Sequence, residues 1–99
     1  MNKNNKDDVL ILLFYLLIRQ TGSLADCFRH IQKDRLFETE QLQGWRAYVQ
    51  TELGDVTVLV EKTCALFDLD YQETQEIGRR RDAEKAEEYL KRHPGGLWV

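Results

Sequence analysis

The chain has 99 residues, of which 42% are hydrophobic and 31% charged, and its formal net charge is −3. That length makes a single domain, residues 1–99, with only a modest core, so self-association is expected; the composition excludes an intrinsically disordered chain. The slightly acidic balance offers no general attraction to nucleic acid or to an anionic membrane, and neither is expected as a partner.

The polar start, residues 1–6, reads as a flexible N-terminus, and Asp7 and Asp8 stand where an N-cap and first-turn acids belong. A helical pattern then runs from about Asp8 to Gln32 or Lys33. Its first half, Val9 to Ile18, is apolar all round. The run resembles the core of a signal peptide, yet no small-residue cleavage site follows, and it falls short of the roughly 18 residues that would suggest a membrane span. It is read as a buried helix of a cytoplasmic protein, which other helices or a second subunit must cover on every side. The second half narrows to a stripe of Leu17, Gln20, Leu24, Cys27, Phe28 and Ile31, on which Gln20 is the polar intruder and Ser23 lies at the flank.

Between Asp34 and Gln41 the periodicity lapses, as a helix-to-helix connection requires. From about Thr39 or Glu40 to Phe67 a second helix is marked by Leu42, Trp45, Val49, Leu53, Val56 and Leu59, the three-and-four spacing of one apolar face. At about 100° per residue, Glu52 points to within roughly 20° of the centre of that face. Gly54 inside the helix implies a close backbone approach or a bend. Asp68-Leu69-Asp70 ends the helix, and Asp70 with Glu73 forms an acidic capping box for a third helix running to about Arg92. The apolar face of that helix is thin, so it covers a bundle and does not centre it. His93-Pro94-Gly95-Gly96 stops it, leaving a tail, residues 94–99, whose Leu97-Trp98-Val99 is a candidate for docking across a subunit interface. Cys27 and Cys64 both fall on apolar faces and read as buried free thiols. His30 and His93 lack companions at zinc-ligand spacing. Trp45 can either stack a nucleobase or sit in the core.

Glu52 and Asp55, at i and i+3, are the candidate metal ligands, because a hard divalent cation takes carboxylate oxygens while keeping waters and substrate phosphates. The competing reading is a structural Glu52 that hydrogen-bonds to Gln20, Tyr48 or Trp45, or pairs with a basic side chain. Arg79-Arg80-Arg81 with Lys85 is either a phosphate-facing patch or a solvated, salt-bridged face.

Glu52-Leu53-Gly54-Asp55-Val56, followed by an apolar helix, Asp68-Leu69-Asp70 and a charged last helix, resembles the second half of the MazG-like all-α nucleoside triphosphate pyrophosphohydrolases. In that family the first half carries Glu-Glu-x-x-Glu and the second Glu-x-x-Asp. Here Gly22, Leu24, Ala25 and Asp26 match the first phrase, but Arg19, Gln20 and Ser23 hold the positions of its three acids. The resemblance spans about Leu12 to Arg92. It implies an all-α antiparallel helical bundle of two long helices and a shorter C-terminal one, completed as a homodimer or a higher homo-oligomer. It also implies Mg²⁺ held against the phosphates of a nucleotide, which water would cleave between the α and β phosphates.

Only Glu52 and Asp55 carry over as ligands; Gln20, Ser23, Arg80 and Lys85 are the candidate substrate-binding residues, and no catalytic base is identified. Holding a dehydrated divalent ion needs several anionic oxygens, and this sequence has exchanged three of five for neutral or cationic groups. The expected function is therefore a MazG-like homologue with a degraded metal site that acts by nucleotide or partner binding. An active Mg²⁺-dependent hydrolase with a reorganised ligand set and a plain helical interaction module are the alternatives.

Overall fold

A computed structural model describes residues 5–99, and among them the chain is all-helical, without a strand. The elements are α1 (Lys6–Lys33), a short 3₁₀ turn (Leu36–Glu38), α2 (Leu42–Leu66) and α3 (Tyr71–Arg92). The chain divides into two compact units, one ending at Phe67 and the other Asp68–Val99.

α1 begins slightly earlier than its acids suggest. Asn5 adopts an extended conformation and its Oδ1 accepts from the Asp7 and Asp8 amides at 2.9 and 3.4 Å, so Asn5 is the cap and the two acids occupy the positive first turn. Lys6 is thus helical, and residues 1–4 of the expected flexible start lie outside the described residues. At the other end the Asp34 amide bonds back to the His30 carbonyl at 3.1 Å, and Arg35 turns the chain in the left-handed region with φ 51°. Thr39 Oγ1 then donates to the Leu36 carbonyl at 2.9 Å. The connection falls where the periodicity lapses, but α2 starts at Leu42, two or three residues later than expected.

α1 and α2 run antiparallel. Three pairs fix the direction: His30 stacks on Trp45 with centroids 5.8 Å apart, Ser23 Oγ lies 3.3 Å from Tyr48 Oη, and Gln20 bonds to Glu52. As the first number falls, the second rises. The core nearest the turn is Cys27, Ile31 and Leu36, packed against Leu42, Trp45 and Val49. Further along, Leu13 on α1 and Leu59 and Cys64 on α2 are buried. Neither cysteine is in a disulfide, and both are buried, as expected.

The apolar first half of α1 is covered on one side only. Leu13 is buried, whereas Ile11, Phe14, Tyr15 and Ile18 remain 66%, 65%, 57% and 57% exposed. By length and composition alone, α1 is also long and apolar enough to cross a membrane. Gly54 does not serve a close approach within this unit. A Cβ there would meet nothing within 4 Å, and nothing in the structure explains a glycine at that position.

The second unit is one helix with its tail. Asp70 caps α3, its Oδ1 accepting from the Glu73 amide at 2.7 Å. None of its residues is buried, in keeping with its thin apolar face, and its surface carries the pairs Glu76–Arg79, Glu87–Lys91 and Glu88–Arg92. Such exposed pairs add only a few tenths of a kcal/mol each, about 0.2–0.5. Beyond Arg92 the chain reverses, with the Gly96 amide bonding to the His93 carbonyl at 2.8 Å and Gly95 at φ 79°. A Cβ on Gly96 would lie 2.9 Å from the His93 carbonyl oxygen, so the reversal admits only glycine there. Trp98 folds back over Tyr89, with centroids 5.5 Å apart, and its indole N–H donates to Asp82 at 3.2 Å. The tail aromatic thus has a seat within its own unit.

Candidate functional site

Glu52 stands on α2 with its apolar neighbours turned toward α1, because Val49, Val56 and Leu59 lie on the same side of the helix one or two turns away. Val49 and Val56 are half-buried and Leu59 is buried. Glu52 is accordingly half-buried, while Asp55, displaced by three residues, is exposed. Gln20, the polar residue on the apolar stripe of α1, donates its amide N–H to Glu52 Oε2 across the helix pair. The structural alternative for Glu52 is therefore realised in the form that names Gln20 as partner. A charge-assisted amide–carboxylate bond satisfies one lone pair of Glu52 and answers the desolvation of both groups.

One turn further along α1, Ser23 reaches Tyr48 Oη and does not face Glu52. The register makes this legible afterwards: once Gln20 is opposite Glu52, a three-residue step along α1 brings Ser23 opposite the Tyr48–Val49 turn of α2. Trp45 is flanked by His30 stacked at an interplanar angle of 24° and by Tyr48 edge-on at 81°. With these neighbours its indole belongs to the packing of the hairpin. A small cleft of about 430 Å³ lies here, lined by Ser23, Asp26, Cys27, His30, Trp45 and Tyr48. Asp26, on the outer side of α1, holds Arg29 at 2.7 Å and lies 3.7 Å from His30 Nε2. Arg80 and Lys85 are exposed on α3, in the other unit.

The donor set does not fit a divalent cation. Among the described residues no group of three or more His, Cys, Asp or Glu side chains converges on one point. Of the two candidate ligands on α2, Glu52 is engaged by Gln20 and Asp55 faces solvent. Mg²⁺ demands near-octahedral oxygen ligands, and two carboxylates in these positions supply neither the geometry nor the charge.

Cys27 is the titratable group whose behaviour the site alters. It is 2% exposed, and burial pushes its thiol above the ordinary value, with the negative charges of Glu52 and then Asp26 adding to the effect. Below about pH 8.5 the thiol is protonated in both states and this contribution to stability is complete. As pH rises further the unfolded chain releases its proton while the fold resists, so stability is lost as pH climbs through the folded value. Urea midpoints at pH 7.5 and pH 10 should consequently fall more for the native chain than for Cys27→Ala, whose alkaline slope lacks this component. Equal slopes for the two proteins would remove the effect.

Sequence reasoning missed one other feature. An open apolar groove of about 790 Å³ runs beside the hairpin turn, lined by Phe28, Ile31, Phe37, Leu42, Val49 and Leu53 among others. Phe37 belongs to the connection and shows no period, so only the turn geometry reveals that it borders this groove. Comparison with protein-family models, with curated proteins and with solved structures finds no match for this chain.

Proposed function

We propose that this chain is a MazG-like helical protein whose pyrophosphohydrolase centre has been dismantled, and that it acts by association and not by catalysis. The observation that carries this reading is the Gln20–Glu52 hydrogen bond. In the phrase that Arg19, Gln20 and Ser23 interrupt, an acid opposite Glu52 would repel it and call for a cation between them. An amide there donates to Glu52 directly, so the pair closes without metal. Support for association comes from the exposed apolar side chains of α1, which exceed the scattered singles normal on a monomer. Two buried cysteines outside any disulfide fit a reducing cytoplasm.

A second reading is favoured by the cleft beside Trp45. Its mixture of ring faces with Ser23, Asp26 and Tyr48 offers both stacking surface and hydrogen-bond partners, the chemistry of a nucleotide base. In that reading the chain binds a nucleotide and leaves it intact.

The experiment is a pyrophosphate-release assay with the four common nucleoside triphosphates and Mg²⁺ or Mn²⁺, run beside calorimetry. The expected outcome is no release above the protein-free background. Calorimetric binding without release selects the nucleotide-binding reading. Release that Glu52→Gln abolishes would overturn the proposal and assign a working hydrolase with a reorganised ligand set.

A further inference from the structure

Around α1 the side buried on α2 is marked by Leu13, Gln20, Cys27 and Ile31, which are buried or half-buried. About 130° around the same helix runs a second line, Ile11, Phe14, Ile18, Thr21, Ala25 and Phe28. Its spacing alternates three and four over two and a half heptads, the repeat that keeps one seam facing a partner helix. None of these six is covered by the chain, and Ile11, Phe14, Ile18 and Phe28 are 66%, 65%, 57% and 51% exposed. α1 is thus a helix with two seams, of which the fold uses one.

We infer that the second seam pairs with the same seam of a second copy, antiparallel, to join two α1–α2 hairpins. This rests on the reading of the chain as an association module and names its partner. Area is the first argument. With the flanking Leu10, Tyr15 and Leu17, at 41%, 57% and 43% exposure, the side chains of this face offer on the order of 700 Å² per copy, close to the roughly 800 Å² per partner of a stable interface.

Orientation follows from size and charge. In an antiparallel pair, the first and fourth positions of the repeat face one another, and full overlap places Ile11 opposite Phe28, Phe14 opposite Ala25, and Ile18 opposite Thr21. Two of these three layers set a large side chain against a small one, so the layers interdigitate. A parallel pair would set Phe14 against Phe14 and leave a void at Ala25. The antiparallel register also brings the acidic start of α1, Asp7 and Asp8, to its basic end, where His30 and Lys33 form the last turn and Arg29 lies just before them. Asp8 falls beside Arg29 at each end of the two-fold. A parallel pair would crowd the four acids together at one end.

The test has three measurements on the full chain. Sedimentation in buffer without lipid should give a dimer at micromolar concentration, and Phe14→Glu should raise the dimer dissociation constant at least about tenfold with the helical circular dichroism unchanged. Copies carrying Phe14→Cys and copies carrying Ala25→Cys, differently tagged and mixed under mild oxidation, should form mostly the mixed disulfide, since the two native cysteines are buried. This readout stands even where Phe14→Glu fails to fold. Asp8→Arg should weaken the dimer and Arg29→Asp in the same chain should restore it. A monomeric native chain overturns the inference, as does a Phe14→Cys chain that cross-links chiefly to itself. A chain that is monomeric in buffer and partitions onto phosphatidylcholine vesicles would assign the seam to lipid instead. A dimer that releases pyrophosphate would refute the proposed function and leave this seam standing; an inactive monomer would do the reverse.

Discussion

Replacing Ile31 by alanine is expected to remove about 2–5 kcal/mol from the stability of the α1–α2 hairpin, enough to leave it largely unfolded at the low end of the usual 5–15 kcal/mol. Ile31 is 6% exposed and belongs to a cluster of only three buried residues, with Cys27 and Leu36, against Leu42, Trp45 and Val49. A core this small has few neighbours that can relax into the vacated space, so the cavity penalty adds to the lost transfer energy. Trp45 reports the hairpin directly, and urea unfolding followed by its emission in a Trp98→Phe background keeps the other unit out of the signal. Ile77→Ala, on the exposed surface of α3, should shift that transition by no more than about 0.5 kcal/mol. Similar losses at both positions would mean that the cluster near the turn is not the core of its unit.

Glu52→Leu is expected to destabilise the hairpin by about 1–3 kcal/mol, whereas Gln20→Leu with Glu52→Leu should restore it to the native value or above. The asymmetry has a simple origin. The single substitution strands the Gln20 amide against an apolar face, while the double one replaces both polar groups by hydrocarbon of similar size. Had Glu52 stood without a partner, its removal alone would have been the stabilising change; the Gln20 donor reverses that sign. A double-mutant cycle read by the same urea midpoints measures the coupling, expected at about 0.5–3 kcal/mol. Additive single effects would show that the pair is a bystander, and the argument that Gln20 has displaced a cation would go with it.

Much of the fold can be read from spacing. The three helices, the stop at Asp68 to Asp70, the Asp70 cap, the thin surface of α3 and the inward turn of Glu52 all follow from period and cap chemistry. What spacing does not carry is the interior of the connection. Leu36 is 3% exposed, among the most buried residues in the molecule, yet it stands in a stretch without period. It is buried because Arg35 adopts a left-handed conformation that swings the next residue under the hairpin, and no side-chain type announces that turn at an arginine. Asn5 was hidden for a related reason: with two acids just behind it, the earlier cap is visible only once the amide directions are known.

The site divides along the same line. The pairing of Gln20 with Glu52 is legible because both are polar residues centred on apolar stripes, and two such intruders find one another. The loss of Asp55 to solvent is less so, since a residue about 60° around the helix from Glu52 can fall on either side of the boundary of the stripe. By sequence Trp45 could have faced a nucleobase and Trp98 a second subunit. Their actual neighbours, His30 with Tyr48 and Asp82 with Tyr89, are set by the register of the hairpin and by the reversal at Gly95-Gly96.

The nesting of the α1–α2 pairings around one connection bears on the order in which they form. His30 and Trp45 are 15 positions apart, Ser23 and Tyr48 are 25, and Gln20 and Glu52 are 32. Chain closure costs rise only with the logarithm of the loop, so each contact made next to the turn shortens the loop that the next one must close. The hairpin is expected to zip outward from Leu36, on the fast timescale of helical proteins whose contacts are local. The amide–carboxylate pair then closes after the other two, and the Leu13 end of α1 against Leu59 and Cys64 closes last.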